Sequence, residues 1–206
     1  MAWAVWLSYA TISAANIVTP GPANLNTLRR ALQLGFTPVL PTIFGNALGL
    51  AVGGILCASG VATLVMTSGL LWTLFRWLGV AYLGGLGLKL MIKREPIILG
   101  KGVVQRVRPQ LLFREAFFLA VTNPKALLFY LALFPQVLDP ARSLWPQSTM
   151  LVLTYCGLSI LSLSTYALLA EKVRNRFLTQ ARYDVFRVCS GLVLLGFAIM
   201  LAVQVS

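Results

Sequence analysis

Long apolar stretches with almost no charge dominate this sequence. No charged residue occurs between Arg30 and Arg76, and only 11% of the whole chain is charged. A soluble domain has about 25% charged residues, whereas a transmembrane helix needs about 20 mostly apolar residues in succession. We therefore predict an all-α integral membrane protein with six transmembrane helices. The predicted spans lie at about 3–28, 38–64, 70–91, 115–138, 147–170 and 188–205.

The positive charges predict how these spans are oriented. Of the 17 Lys and Arg residues, 14 fall in segments on one side of the predicted membrane. Two of them, Arg29 and Arg30, lie in the predicted connection after span 1, seven lie from Lys89 to Arg114, and five from Lys172 to Arg187. The positive-inside rule makes that side cytoplasmic, which leaves both termini outside. Spans 1–3 and 4–6 then run in opposite directions, as a 3+3 inverted repeat requires. We predict a single transmembrane domain over 1–206, with halves at about 1–92 and 115–206 and a basic cytoplasmic loop at about 93–114.

The net charge of +12 does not predict nucleic-acid binding, because the cations are confined to short segments between apolar runs. That placement suits anionic lipid headgroups. The chain has no histidine and no CxxC pair, so we predict no metal site, no cofactor and no enzymatic activity. Gly45, Gly49 and Gly53 repeat at a spacing that lets helices approach closely, either within one subunit or across a possible homodimer.

Two proline motifs interrupt predicted spans, one in each half of the chain. They are Thr19-Pro20-Gly21-Pro22 in span 1 and Thr122-Asn123-Pro124-Lys125 in span 4. A proline removes a helical hydrogen bond, and such breaks occur in membranes where protein or a wet cavity satisfies the freed groups. Broken helices in both halves are typical of a transporter site near the bilayer midplane. The predicted substrate-binding residues are Asn16, Thr19, Pro20, Gly21, Pro22, Asn24, Asn46, Thr122, Asn123, Pro124 and Lys125.

Lys125 is the cation of this predicted site. It lies deep in span 4, where an ammonium is costly, and we expect it to bind a substrate carboxylate together with the N–H groups of the broken helices. All five acidic residues lie in predicted loops or at span ends, so zwitterions or anions are favoured over cationic cargo. Glu115, at the predicted cytoplasmic mouth of span 4, is the one candidate for ion coupling. An interfacial helix-start role is its alternative.

The chain resembles the LysE/RhtB-type amino-acid exporters of bacterial inner membranes. The resemblance rests on the two proline motifs, on Phe134-Pro135-Gln136 and on the glycine-rich segment from Trp77 to Gly87. It implies efflux of amino acids or their derivatives, driven by the proton gradient or the membrane potential. Many members carry acidic residues where this chain has Leu50 and Ser159. This departure from the family pattern argues against basic amino acids as substrates and against the family's coupling ion.

Two other functions compete with transport as readings of the same chain. An intramembrane thiol–disulfide carrier would need a cysteine beside each proline break, where this chain has Thr19 and Asn123. A non-transporting scaffold subunit would account for the glycine repeat. It would leave Lys125 and the double break unexplained. Independently of these functions, we expect Asn46 to replace part of the polarity lost in span 2, with a hydrogen bond between helices as its alternative role. The favoured prediction is a secondary exporter of small, neutral zwitterionic amino acids or derivatives in the bacterial inner membrane.

Overall fold

The computed structural model describes residues 3–19, 21–60, 68–92, 107–139, 141–177 and 179–203. Regular secondary structure in these ranges is entirely helical. The helices are α1 (Trp3–Val18), α2 (Pro22–Leu34), α3 (Phe36–Ala58), α4 (Gly69–Ile92), α5 (Pro109–Val121), α6 (Pro124–Val137), α7 (Leu144–Phe177) and α8 (Gln180–Val203).

Within the described ranges, length and apolarity qualify two continuous segments to cross a membrane, Phe36–Ala58 and Leu144–Arg174. The pair Pro109–Val121 and Pro124–Phe134 qualifies as a third if it forms one span, although it is bent by 49° at the break between its helices. The predicted count of six spans and the inverted repeat remain predictions.

Both proline motifs interrupt helices in the structure. Helix α1 ends at Val18 and α2 begins at Pro22, while α5 ends at Val121 and α6 begins at Pro124. Each new helix has its proline in the first turn, where the missing N–H would have no helical partner in any case. Each motif therefore ends one helix and starts the next.

Glycines allow α3 to lie directly against α5. A Cβ at Gly45 would collide with the carbonyl of Phe113, and one at Gly49 would lie 2.7 Å from the carbonyl oxygen of Phe117. A Cβ at Gly53, in contrast, would have no neighbouring atom within 4 Å. The first two glycines of the repeat are thus used for packing within the subunit, which confirms the first of the two predicted roles.

The structure corrects the predicted position of Arg29 and Arg30. The positive-inside argument assigned them to the connection after span 1, but they lie inside α2, which continues to Leu34, and both are buried. The chain instead turns at Gly35, whose φ of 90° favours glycine. Glu171 of α7 accepts a hydrogen bond from the Phe36 N–H at 3.1 Å and so satisfies a donor at the start of α3.

Candidate functional site

The first break is held by an ammonium. Lys125 Nζ donates to the carbonyl of Asn16 at 2.8 Å and to the carbonyl of Thr19 at 3.0 Å. In a continuous helix the Asn16 carbonyl would pair with the N–H of residue 20, which proline lacks. Pro20 itself lies outside the described residues. The side chain at the start of α6 therefore occupies the carbonyl end of α1, where the helix dipole favours positive charge.

Two other side chains satisfy the remaining carbonyls at this break. The hydroxyl of Tyr166, on α7, donates to the Val18 carbonyl at 3.1 Å, which the proline at Pro22 leaves without its helical donor. Asn24 Nδ2, in the first turn of α2, donates to the Ile17 carbonyl at 3.0 Å. The C-terminal carbonyls of α1 thus depend on side chains from three other helices.

The second break is satisfied locally. Asn123 is the N-cap of α6, and its side-chain oxygen accepts from the Lys125 N–H at 3.1 Å. Its own N–H donates to the Ala120 carbonyl at 3.2 Å, and the Thr122 hydroxyl donates to the Phe118 carbonyl. At the first break, by contrast, the N-cap of α2 is Gly21, which has no side chain to cap the helix. Of the two helices that begin at the breaks, α2 is thus the one whose N-terminus has no side-chain cap.

A polar cavity of about 40 Å³ lies between the two breaks. That volume suits a few water molecules at most, and it is far below the roughly 300 Å³ typical of the smallest ligand pockets. The cavity, as the structure shows it, is therefore too small to hold an amino acid. The cavity is lined by Asn16, Ile17, Gly21, Ala23, Asn24, Asn46, Leu50, Asn123, Lys125, Ala126, Tyr155 and Ser159.

The cavity contains two residues that were not among the predicted site residues. Tyr155 and Ser159, one turn apart on α7, both contribute to its wall. The Tyr155 hydroxyl donates to Asn16 Oδ1 at 2.9 Å, and Asn46 Nδ2 donates to Ser159 Oγ at 3.0 Å. The alternative role of Asn46, a hydrogen bond between helices, is thus confirmed. Ser159 stands out in the sequence only through its place in the family pattern; Tyr155 gives no sequence signal, because a single tyrosine in an apolar helix is ordinary.

Several predicted residues lie at the breaks without lining the cavity. The hydroxyls of Thr19 and Thr122 each donate to a carbonyl of the preceding helical turn, so that Thr19 contributes through its backbone. Pro22 and Pro124 serve as helix-start residues. The structure therefore brings together Asn16, Gly21, Asn24, Asn46, Asn123 and Lys125.

Glu115 is not a helix-start residue, which was its alternative predicted role, because α5 begins at Pro109. It is buried within α5 and does not line the cavity beside Lys125. Its carboxylate pairs with Arg29 Nη2 at 2.8 Å and with Arg30 Nη2 at 2.6 Å. Asn26 and Gln33 accept further hydrogen bonds from these guanidinium groups. We call Arg29, Arg30 and Glu115 the ionic cluster.

The ionic cluster lies on one side of the cavity and a group of aromatic side chains on the other. Arg29 follows the first break and Glu115 precedes the second, each by about 10 Å of helix. Tyr9 of α1 and Phe129 of α6 lie beyond the breaks in the opposite direction, with ring centroids 6.0 Å apart. Phe129 also contacts the ring of Tyr155. The ion pairs and the packed rings thus lie in opposite directions along the broken helices from the two breaks.

Comparisons with known proteins identify the family of this chain. The family model described as LysE type translocator matches residues 14–205. The chain belongs to the LysE family of translocators. This is a family of transport proteins, not of enzymes. No group of three or more His, Cys, Asp or Glu side chains suited to a metal ion occurs among the residues that the structure describes.

Relatives match most of the chain. An uncharacterized membrane protein of Vibrio cholerae is 33% identical over 82% of this chain and 82% of its own length. The homoserine/homoserine lactone efflux protein of Salmonella typhimurium is 30% identical over 82% of this chain and 81% of its own length. The leucine efflux protein of Salmonella choleraesuis is 33% identical over 72% of this chain and 73% of its own length. No solved structure matches the chain.

Proposed function

We propose that this LysE-family protein exports small, neutral zwitterionic amino acids or their derivatives across the bacterial inner membrane. The observation that carries the proposal is the Lys125 ammonium bound to the carbonyl end of one half-helix, 3.7 Å from where a Cβ on Gly21 would lie, beside the next half-helix. The named relatives support the class of cargo, since their names specify leucine, homoserine and homoserine lactone.

The substrate carboxylate binds at the N-terminus of α2. Gly21 is the N-cap of that helix and leaves its first N–H groups without a side-chain acceptor, next to Lys125. Unpaired N–H groups and the dipole at a helix N-terminus bind anions. The N-terminus of α6 is a weaker site, because Asn123 already accepts from one of its N–H groups. The carboxylate is therefore held mainly by α2 and Lys125.

The substrate ammonium binds where the Lys125 ammonium now lies. The carbonyls of Asn16 and Thr19 already accept from one ammonium group, so their geometry suits another. When a carboxylate enters, Lys125 turns toward it and leaves these carbonyls to the α-ammonium of the substrate. Lys125 thus keeps the empty site closed and pairs with the carboxylate when the site is filled, which requires the cavity to widen.

The lack of an acidic residue in the cavity favours neutral side chains. Leu50 and Ser159, the two positions at which the family resemblance implied acidic residues, both line the cavity. A cationic side chain entering this space would find no carboxylate among the described residues that line it. Glu115, the buried acidic residue in the described ranges, pairs with two arginines. We propose that Glu115 serves to join α2 and α5, with ion coupling as its alternative role.

Export of labelled amino acids from proteoliposomes tests the proposal. A panel of leucine, homoserine, lysine and glutamate should show transport of the two neutral compounds. The change Lys125→Ala should reduce the apparent affinity for them about tenfold or more, because a hydrogen bond to a charged group contributes about 1.5–3 kcal/mol. Lys172→Ala is the matched control, since Lys172 is an exposed lysine of α7 outside the cavity. Unchanged export by Lys125→Ala would remove the assignment.

A second experiment tests the specificity. Ser159→Asp places a carboxylate in the cavity wall and should admit lysine as cargo. Ser162→Asp, one turn further along α7 and outside the cavity, is the control and should leave the preference for neutral compounds unchanged. Equal lysine transport by both variants would show that the cavity does not select the side chain.

A third experiment tests ion coupling. If export by the Glu115→Gln variant depends on the proton gradient as it does in the wild type, the coupling role of Glu115 is excluded.

A further inference from the structure

A second cavity lies outside the substrate site, in a groove between α4 and α5. Its volume is about 320 Å³, within the range of small-molecule pockets. Helix α4 packs mainly on α8, and α5 packs mainly on α3, so α4 and α5 have few contacts with each other where the groove lies. A single hydrogen bond is described across it, from the Tyr82 hydroxyl to the Glu115 carbonyl at 2.6 Å. The groove is lined by Ala81, Tyr82, Gly85, Leu86, Lys89, Leu111, Arg114, Glu115 and Phe118.

The groove has a positively charged mouth. Lys89, in the last turn of α4, and Arg114 of α5 are both exposed and line it. Neither makes an ion pair or hydrogen bond with any residue that the structure describes. The one acidic side chain in the wall, Glu115, directs its carboxylate to Arg29 and Arg30. Two cations therefore face the groove with no direct partner among the described residues, and the Glu115 charge attracts Lys89 only through space.

The rest of the groove is apolar. Leu111 and Phe118 of α5 are about half exposed, and Gly85 of α4 leaves open space, since a Cβ at this position would have no neighbouring atom within 4 Å. From Lys89 to Ala81 the groove follows α4 for about 12 Å, which is close to the depth of one leaflet of a bilayer core of about 30 Å. One end thus suits an anionic group and the remainder suits a hydrocarbon chain.

We propose that this groove binds an anionic phospholipid, with the phosphate between Lys89 and Arg114 and one acyl chain along Gly85 and Phe118. The predicted orientation puts the mouth at the cytoplasmic leaflet, which carries the anionic lipids. Basic pockets between transmembrane helices on that side bind such headgroups. Because Glu115 lies in the wall, the lipid also contacts the helix that carries the acidic member of the ionic cluster.

Lipid retention measures this binding. The purified protein is equilibrated in nanodiscs containing equal amounts of phosphatidylglycerol and phosphatidylethanolamine, and the lipid retained per protein is counted by native mass spectrometry after transfer to detergent. The wild type should retain phosphatidylglycerol preferentially. Lys89→Gln combined with Arg114→Gln should weaken that retention roughly 25-fold, because each cation near an anionic surface contributes about fivefold. Lys172→Gln combined with Arg182→Gln changes the net charge equally, outside the groove, and should retain the lipid.

A change of volume tests the acyl-chain site without altering charge. Gly85→Phe fills the groove and should abolish preferential retention. Gly196→Phe places the same side chain at an open helical glycine of α8 and should have no effect. Equal retention by the wild type, the double charge variant and Gly85→Phe would overturn the proposal. The proposal would also be overturned if inorganic phosphate displaced the lipid and Gly85→Phe left retention unchanged. That result would indicate a simple anion site.

Discussion

The two helix breaks differ in how their free backbone groups are satisfied. The second break is satisfied within its own motif, since Asn123 caps α6 and the Asn123 N–H and the Thr122 hydroxyl bond to carbonyls of α5. The first break relies on distant groups, above all Lys125 and Tyr166. A locally capped break is a fixed joint, whereas one held by distant side chains changes when those side chains move. We infer that α1 and α2 respond to substrate while the α5–α6 joint provides a stable frame.

The ionic cluster extends this comparison, because it joins the half-helix after the first break to the half-helix before the second. The largest loss of stability is therefore expected for Glu115→Gln, which leaves Arg29 and Arg30 buried without their carboxylate. Removal of one partner of a buried ion pair costs about 3–5 kcal/mol. We expect that loss of unfolding free energy in detergent micelles, with faster hydrogen exchange in both α2 and α5.

Asp139→Asn is the matched control for Glu115→Gln. Asp139 pairs with Arg142 at 3.2 Å in a largely exposed ion pair, and such pairs contribute about 0–1 kcal/mol. The Asn side chain also keeps an oxygen to accept from the Ala141 N–H. If the two variants lose the same stability, the ionic cluster does not hold the half-helices together.

The sequence predicted the breaks more accurately than the groups that satisfy them. A proline stops a helix through its own ring and missing N–H, so the effect is local and can be read from Pro22 and Pro124. The partners of Lys125 are backbone carbonyls more than a hundred residues away, and a carbonyl carries no sequence signal. Sequence analysis can search for acidic side chains as partners of a lysine, but it cannot identify a particular backbone carbonyl as one.

The ionic cluster was missed for a different reason. The positive-inside rule counts cations near span ends and treats them as exposed, so Arg29 and Arg30 were assigned to a connection. Glu115 was predicted at the same side of the membrane, at the start of another span. Their similar predicted depth in the membrane could have indicated the ion pairs, since an acid and two arginines at one depth in a helical bundle can pair and become buried.

The second largest effect is expected for Lys125→Met, which tests whether the first break depends on the ammonium. The variant loses two charge-assisted hydrogen bonds of about 1.5–3 kcal/mol each. Relief of the desolvated charge offsets part of this, so we expect a net loss of about 2 kcal/mol in unfolding free energy. Hydrogen exchange should increase at residues 14–19 and remain unchanged at 118–123, because methionine keeps the backbone N–H that Asn123 caps.

Lys125→Arg is the control, since it retains the charge and the donors. It should restore most of the stability and the slow exchange at residues 14–19. Equal exchange in wild type and Lys125→Met would mean that the carbonyls of Asn16 and Thr19 do not need the ammonium, and the contrast between the two breaks would then be lost.

A smaller effect is expected for Asn123→Ala, which removes the cap of the second break. Loss of an N-cap side chain costs about 1 kcal/mol. We expect that loss of stability together with faster exchange at residues 124–127, while the first break keeps its exchange rates. Asn123→Ser retains a capping oxygen and should behave as the wild type in the same measurement. Faster exchange at residues 14–19 in the alanine variant would show that the second break is not self-contained.

The smallest effect is expected for Tyr166→Phe, which removes the donor to the Val18 carbonyl at the first break. Hydrogen bonds between membrane helices contribute about 0.6 kcal/mol on average, so the loss of stability should be of that order. Tyr155→Phe removes one hydrogen bond of the same kind, to Asn16 Oδ1. Only Tyr155 lines the polar cavity, so Tyr155→Phe should also lower the apparent affinity for exported amino acids, while Tyr166→Phe should not. Equal affinities in the two variants would mean that the cavity between the breaks is not where the substrate binds.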